Sequence, residues 1–237
     1  MNIYGLHKPP FRLKQDNFSL SFEKEGGNYV YRREYGHENV EKLILGKNKQ
    51  ILINPVEPLT KPKNITPFLL IKFNRPLVID AKTSKIIYVT FPIEIGIFIG
   101  SKGEPEMLDT VTFSKPKYTL YGNPRSGRIC RYFQSDVFTA LPAVDLYHEG
   151  VMQLKIINKD SEWIEITKAV FSAFGMKIYH DDKLVSMKAE FEAQNRTIGE
   201  TEFKDSPLNP EMKKSTELFS AKKLALISTK FVMEEGL

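Results

Sequence analysis

The sequence predicts a mainly β protein of antiparallel β-sandwich architecture, in two β-rich halves with one short helix near the C-terminus. Three observations predict it. Apolar and polar residues alternate with period two along most of the chain. Gly-, Pro- and Asp-containing turn signals separate the alternating runs. Only one stretch carries the chemistry of a helix start.

The elements follow in order. In FSLSFEKE, Phe18, Leu20 and Phe22 share one face, and Ser19, Ser21 and Glu23 the other. Gly26-Gly27 then reads as a hairpin turn into NYVYRRE. KQILINP and FLLIKF are short apolar strands joined by the proline-rich connector PVEPLTKPKNITP. KIIYVTF leads through Pro92 to IEIGIFIG, where Ile93, Ile95, Ile97 and Ile99 form one β-branched face and Glu94, Gly96, Phe98 and Gly100 the other. Residues 101–107 are a polar turn. DTVTF, KYTLYG, RICRYF, VMQLKIIN, EWIEITKAVF, GMKIYH and LVSMKAEFEAQ continue the strand pattern, with turns at Lys159-Asp160 and at 180–183. The helix is expected in SPLNPEMKKSTELFSAKK, with Asn209 as cap, Pro210 at the first helical position and Glu211 in the first turn. LALISTKFVM reads as a closing strand. A cut near residue 115 gives an N-terminal β domain, 1–115, and a C-terminal β-sandwich domain, 116–237.

Composition sets the bounds on function. Apolar residues make up 41% of the 237 and charged residues 27%, which is the profile of a chain that buries a core. Cations exceed anions by five and the pI is about 9.0, a surplus that attracts polyanions weakly. The surplus is mostly scattered lysine, with no long basic run. A single cysteine, Cys130, excludes an internal disulfide and a multi-thiolate zinc site, and the four histidines match no metal-ligand spacing. Neither a metal nor a cofactor is expected. The N-terminus lacks a secretory pattern and the most apolar run, 86–100, carries Pro92 and Glu94, so a cytoplasmic protein without a membrane span is expected.

Two groups of residues stand out. YGNPRSGRICRYFQSD, residues 121–136, places three arginines within seven residues. Its connecting loop offers backbone N–H groups and an arginine tip, a composition suited to anions, nucleotides or nucleic acid. Lys117, Asn123, Arg125, Ser126 and Arg128 are the candidate anion-binding residues. Arg128 and Arg131 are three apart and leave a regular strand on opposite faces. Arg131 therefore reads as a structural ion pair, with Glu94 or Asp136 as partner by residue type. Arg32 and Glu34 in YRRE read as further structural ion pairs, because cross-strand pairing is the simplest use of such charges. Glu94 in an apolar strand has a second reading, as a general acid. Cys130 reads as core rather than nucleophile. Trp163 and the tyrosines suit base stacking and core packing equally.

FEKEGGNYVYRRE, NPVEP, TFPIEIGIFIG, KYTLYGNPRSGRICRYF, GMKIY and FVMEEGL together resemble the archaeal domain-of-unknown-function family 432, nearly end to end. The resemblance implies an archaeal, cytosolic source, and it transfers no activity and no catalytic residue. The expected function is a non-enzymatic β-sandwich protein that binds a partner protein or assembles with itself through exposed strand edges. The alternatives are anion, nucleotide or nucleic-acid binding through the 121–131 hairpin, and an enzyme with an acid/base pair drawn from separated strands.

Overall fold

Gly26 and Gly27 have φ of +54° and +89°, both left-handed, which closes a two-residue hairpin in step with the twist of its strands. They join β3 (Phe18–Glu25) to β4 (Asn28–Tyr35). With β2 (Phe11–Gln15) and β5 (Glu38–Ile44) these form an antiparallel meander, β2-β3-β4-β5. β1 (Gly5–His7), β6 (Gln50–Val56), β9 (Glu94–Gly100) and β10 (Glu106–Val111) make a second sheet, ordered β1-β6-β9-β10. This is a computed structural model that describes residues 3–60, 65–100, 105–218 and 230–237.

The chain divides into two compact units, Met1–Asn54 with Ile95–Val111, and Pro55–Glu94 with Thr112–Leu237. A single cut at 115 therefore misassigns 55–94. The reason is non-local pairing: the two strands in that segment, β7 (Phe68–Ile79) and β8 (Ser84–Pro92), pair with strands beyond residue 116.

In the first unit, Phe18, Leu20 and Phe22 are buried with Tyr31, Ile51, Ile53 and Ile97. Its two sheets are tied by charge as well. Arg33, 1% exposed, donates from Nε to Asp109 Oδ2 at 2.9 Å and from Nη1 to Glu38 Oε2 at 2.8 Å. The Tyr31 hydroxyl donates to the same Asp109 oxygen at 2.9 Å. Burial, followed by the Asp109 charge, raises the Tyr31 pKa.

The second unit is a two-sheet sandwich. One sheet runs β11 (Lys117–Tyr121), β12 (Arg128–Ser135), β7, β14 (Ile164–Ser172). The other runs β18 (Lys213–Lys214), β15 (Tyr179–His180), β16 (Val185–Ala193), β13 (Glu149–Asn158), β8, with β17 (Gly199–Lys204) on β16 and β19 (Phe231–Met233) on β17. Facing residues knit the layers: Phe171 stacks on Phe203 with ring centroids 4.9 Å apart, and Thr90 N donates to Ser135 Oγ at 2.8 Å. Most pairings in the molecule are antiparallel, while β7–β12 and β13–β16 are parallel. Parallel neighbours need crossover connections, which local alternation does not reveal.

The expected helix is corrected over its described part. Asn209 Oδ1 accepts from Glu211 N at 3.2 Å and Asn209 O from Met212 N at 3.0 Å, which closes one turn only. Lys213 and Lys214 then pair with His180 and Tyr179 as β18. The sheet edge takes the backbone groups that a helix would have used. The rest of that segment, and the start of the expected closing strand, fall in 219–229, outside the described residues. No helix among the described residues is long and apolar enough to cross a membrane.

Candidate anion-binding cleft

Alternation in β12 sorts its arginines onto the two faces of its sheet. Arg131 points to the inner face, in register with Leu69, and is 2% exposed. Its Nη1 donates to Glu94 Oε1 at 3.2 Å. The other Glu94 oxygen accepts from Thr60 N at 3.2 Å and from the Thr60 hydroxyl. Both carboxylate oxygens are thus engaged, the condition for holding a buried charge. Burial lowers the Arg131 pKa and the Glu94 charge opposes that fall. Asp136 accepts from Asn74 Nδ2 at 2.7 Å and meets no arginine among the described residues.

The outer face carries a different population. Register across the sheet makes one row of Lys117, Tyr132, Leu70 and Val170, and the next row of Gln134, Lys72 and Lys168. Lys72 and Lys168 are directly opposed on neighbouring antiparallel strands. A cleft of about 530 Å³ opens above these rows, lined by Lys72, Lys168, Tyr121, Tyr132, Asn123 and Glu235 among others. Lys168 Nζ lies 5.7 Å from the centre of the Tyr121 ring. Burial, and then repulsion from Lys72, holds the Lys168 amine below its ordinary pKa. Among the described residues, neither lysine has a carboxylate partner within ion-pair distance.

The C-terminal segment walls one side of the cleft. Glu235 N donates to the Tyr121 hydroxyl at 3.0 Å, and that hydroxyl donates to Gly236 O at 3.1 Å. Asn123 Nδ2 donates to Glu235 Oε1 at 3.2 Å.

The 122–127 loop is arranged around Asn123, not around a ligand. Asn123 Oδ1 accepts from Arg125 N at 2.9 Å and Ser126 N at 3.1 Å, and Asn123 O accepts from Gly127 N at 2.8 Å. The N–H groups that sequence offered to an anion are already used, an Asx turn being the usual role of this residue. Gly127 is required here, because a Cβ would stand 2.5 Å from Asn123 O and 2.7 Å from Tyr121 O. Of the five sequence candidates, Lys117 and Arg128 share the outer face with Tyr132, Asn123 lines the cleft, and Arg125 and Ser126 belong to the turn. Arg128 lies over Phe68, 6.0 Å from the ring centre.

The remaining candidates find structural partners. Arg32 pairs with Glu25 at 2.9 Å and with its register neighbour Glu41 at 3.0 Å, not with Glu34. Glu34 accepts from Ser19 Oγ at 3.4 Å. Directly opposed residues on adjacent strands are closer than residues two apart on one strand. Cys130 is fully buried, which pushes its thiol up to about 12. Trp163 is half exposed and is covered by Arg196, 5.2 Å from its ring centre. Among the described residues no group of three or more His, Cys, Asp or Glu is placed to hold a metal ion.

Sequence reasoning did not single out Lys72 and Lys168. Each interrupts an apolar strand, in FLLIKF and EITKAVF, and that interruption was the available signal. Their opposition depends on β7 pairing with β14 across almost a hundred residues of sequence, which no local pattern encodes.

The chain belongs to the family described as protein of unknown function (DUF432), whose model matches residues 3–234. No curated protein and no solved structure matches it.

Proposed function

We propose that this DUF432 protein is a non-enzymatic binding module that takes the anionic group of a ligand between Lys72 and Lys168. The observation that carries the reading is their direct opposition in a half-buried cleft with no carboxylate partner among the described residues. Like charges set against each other across a sheet are destabilising, and an anion between them reverses the sign. The non-enzymatic part is supported by Glu94, whose two oxygens are held by Arg131 and Thr60, and by the Cys130 thiol, held far from its thiolate form. A reducing, cytoplasmic setting suits that buried lone thiol.

Thermal unfolding with and without pyrophosphate tests the reading. A ligand at a hundred times its Kd stabilises by about 2.7 kcal/mol, or roughly 5–10 °C in a chain of this size. Wild type should show the shift, and equal ionic strength of chloride should not reproduce it. Lys72→Ala and Lys168→Ala should each lose the shift while slightly raising the unliganded Tm. A pyrophosphate shift retained in the double variant refutes the site.

Binding to a partner protein, or to a second copy of the chain, is the second reading. Leu120 and Ile129, register neighbours, are 42% and 53% exposed beside β11, the end strand of its sheet among the described residues. Light scattering on Leu120→Lys and wild type tests its self-association form: a multimeric wild type that the lysine dissociates supports it, and identical monomer masses remove it.

A further inference from the structure

We infer that the cleft is the middle of a longer groove for single-stranded nucleic acid, with Tyr132 as the base-stacking platform and Lys72, Lys168, Lys117 and Arg128 as phosphate contacts. The inference rests on the anion-binding reading and deepens it, from an anion to a class of polyanion.

The extent of the charge comes first. Arg128 and Tyr132 are four residues apart on β12, about 13 Å along the strand. Lys117 and Lys168 lie on the two outer strands of a four-stranded sheet, about 14 Å apart across it. One phosphate placed between Lys72 and Lys168 leaves Lys117 and Arg128 unanswered, and neither has a carboxylate partner among the described residues. A ligand that satisfies all four must carry several anionic groups over that span. The cleft, about 530 Å³, is also far larger than an inorganic anion and falls in the range of sites that take organic molecules.

The aromatic centre decides which polyanion. Tyr132 is half-buried between Lys117 and Leu70 in the same row. An aromatic surface with Lys117 beside it and Lys72 and Lys168 in the next row matches the alternation of base and phosphate in a single strand. In a duplex the bases are stacked on one another and cannot reach such a platform. An acidic peptide would use the cations and leave the ring without a counterpart. Glu235, the one carboxylate lining the cleft among the described residues, is held by Asn123.

Fluorescence anisotropy of labelled oligo-dT and oligo-U of about twelve nucleotides, at about 50 to 200 mM salt, tests the inference. Four phosphate contacts predict a slope of log K against log salt near −3, and Lys117→Ala or Arg128→Ala, both exposed, should each reduce its magnitude by about 0.7. Tyr132→Ala should weaken binding roughly 5- to 100-fold with the slope unchanged, and Tyr132→Phe should restore it. The Phe variant keeps the packing, so recovery there assigns the loss to the ring rather than to misfolding. A polyglutamate peptide should compete poorly; equal competition overturns the nucleic-acid assignment in favour of an acidic protein. Pyrophosphate stabilisation without oligonucleotide binding overturns this inference alone, whereas absence of both overturns the anion site with it. Oligonucleotide binding indifferent to Tyr132→Ala and to Lys72→Ala/Lys168→Ala overturns the placement.

Discussion

Replacing Glu57 by glutamine should stabilise the protein, and only at neutral and alkaline pH. Glu57 is 3% exposed, and Leu218 N donates to its Oε2 at 3.2 Å. Burial pushes its carboxyl from the ordinary 4.5 up to about 7, and the nearby Glu217 charge adds to the rise. The folded chain therefore keeps a proton that the unfolded chain releases above about 4.5. The stability this proton confers is fully present below about 4.5 and is lost as pH rises through about 7. The gap is worth about 3 kcal/mol. Glutamine imitates the protonated acid and can still accept from Leu218 N. Urea unfolding of wild type and Glu57→Gln should coincide at pH 4.5 and diverge to about 3 kcal/mol at pH 8, or roughly 6–12 °C in Tm. His180 supplies an internal contrast. Its burial, with Lys213 adding, lowers it to about 4, so its contribution is present above the ordinary 6.5 and lost as pH falls through about 4. The two slopes oppose each other in wild type, and Glu57→Gln should expose a rise in stability from pH 4 to 6.5. A difference between the proteins that stays constant across pH, or a wild type more stable at pH 8, refutes the reasoning.

Arg131→Leu alone strands the buried Glu94 charge and should lose about 3–5 kcal/mol in chemical denaturation, whereas Arg131→Leu/Glu94→Leu should recover most of that loss. Arg125→Ala should change neither stability, beyond about 0.5 kcal/mol, nor the pyrophosphate-induced shift in thermal unfolding, because Arg125 contributes its backbone and not its side chain to the turn. Native Cys130 should resist a thiol-specific disulfide reagent at pH 8 and react fully in denaturant; rapid native reaction, followed by absorbance, would contradict its burial.

Much of the strand content could be read from the chain because alternation is a local property. Phe18, Leu20 and Phe22 need only their own spacing to declare a buried face, and Gly26-Gly27 declares its hairpin from two residues. What failed needed partners. The Asn209 cap is sound helix chemistry, and the turn it starts is cut short because the edge of β15 is available to Lys213 and Lys214. The cut at 115 failed because β7 and β8 sit early in sequence and pair late. The candidate site divides in the same way. That Arg128 and Arg131 leave β12 on opposite faces follows from neighbours. That Lys117 shares a face with Lys72 and Lys168 depends on the order β11-β12-β7-β14.

Pairing separates scaffold from site in this molecule. Arg33, between two sheets, meets Asp109 and Glu38; Arg131, on the inner face of β12, meets Glu94. A cation inside a sandwich has no water to solvate it, so the fold cannot form unless a carboxylate is supplied with it. The outer face of the β11-β12-β7-β14 sheet is under no such requirement, since Lys117 and Arg128 are hydrated and Lys72 and Lys168 only half-buried. Scattered solvated lysines would satisfy the fold equally well. Instead two of them are register partners whose charges repel, a cost of a few tenths of a kcal/mol that no carboxylate among the described residues offsets. A local rule broken on a half-buried face, beside a tyrosine and above a cleft, is where binding chemistry is to be sought, because stability alone would have replaced one lysine.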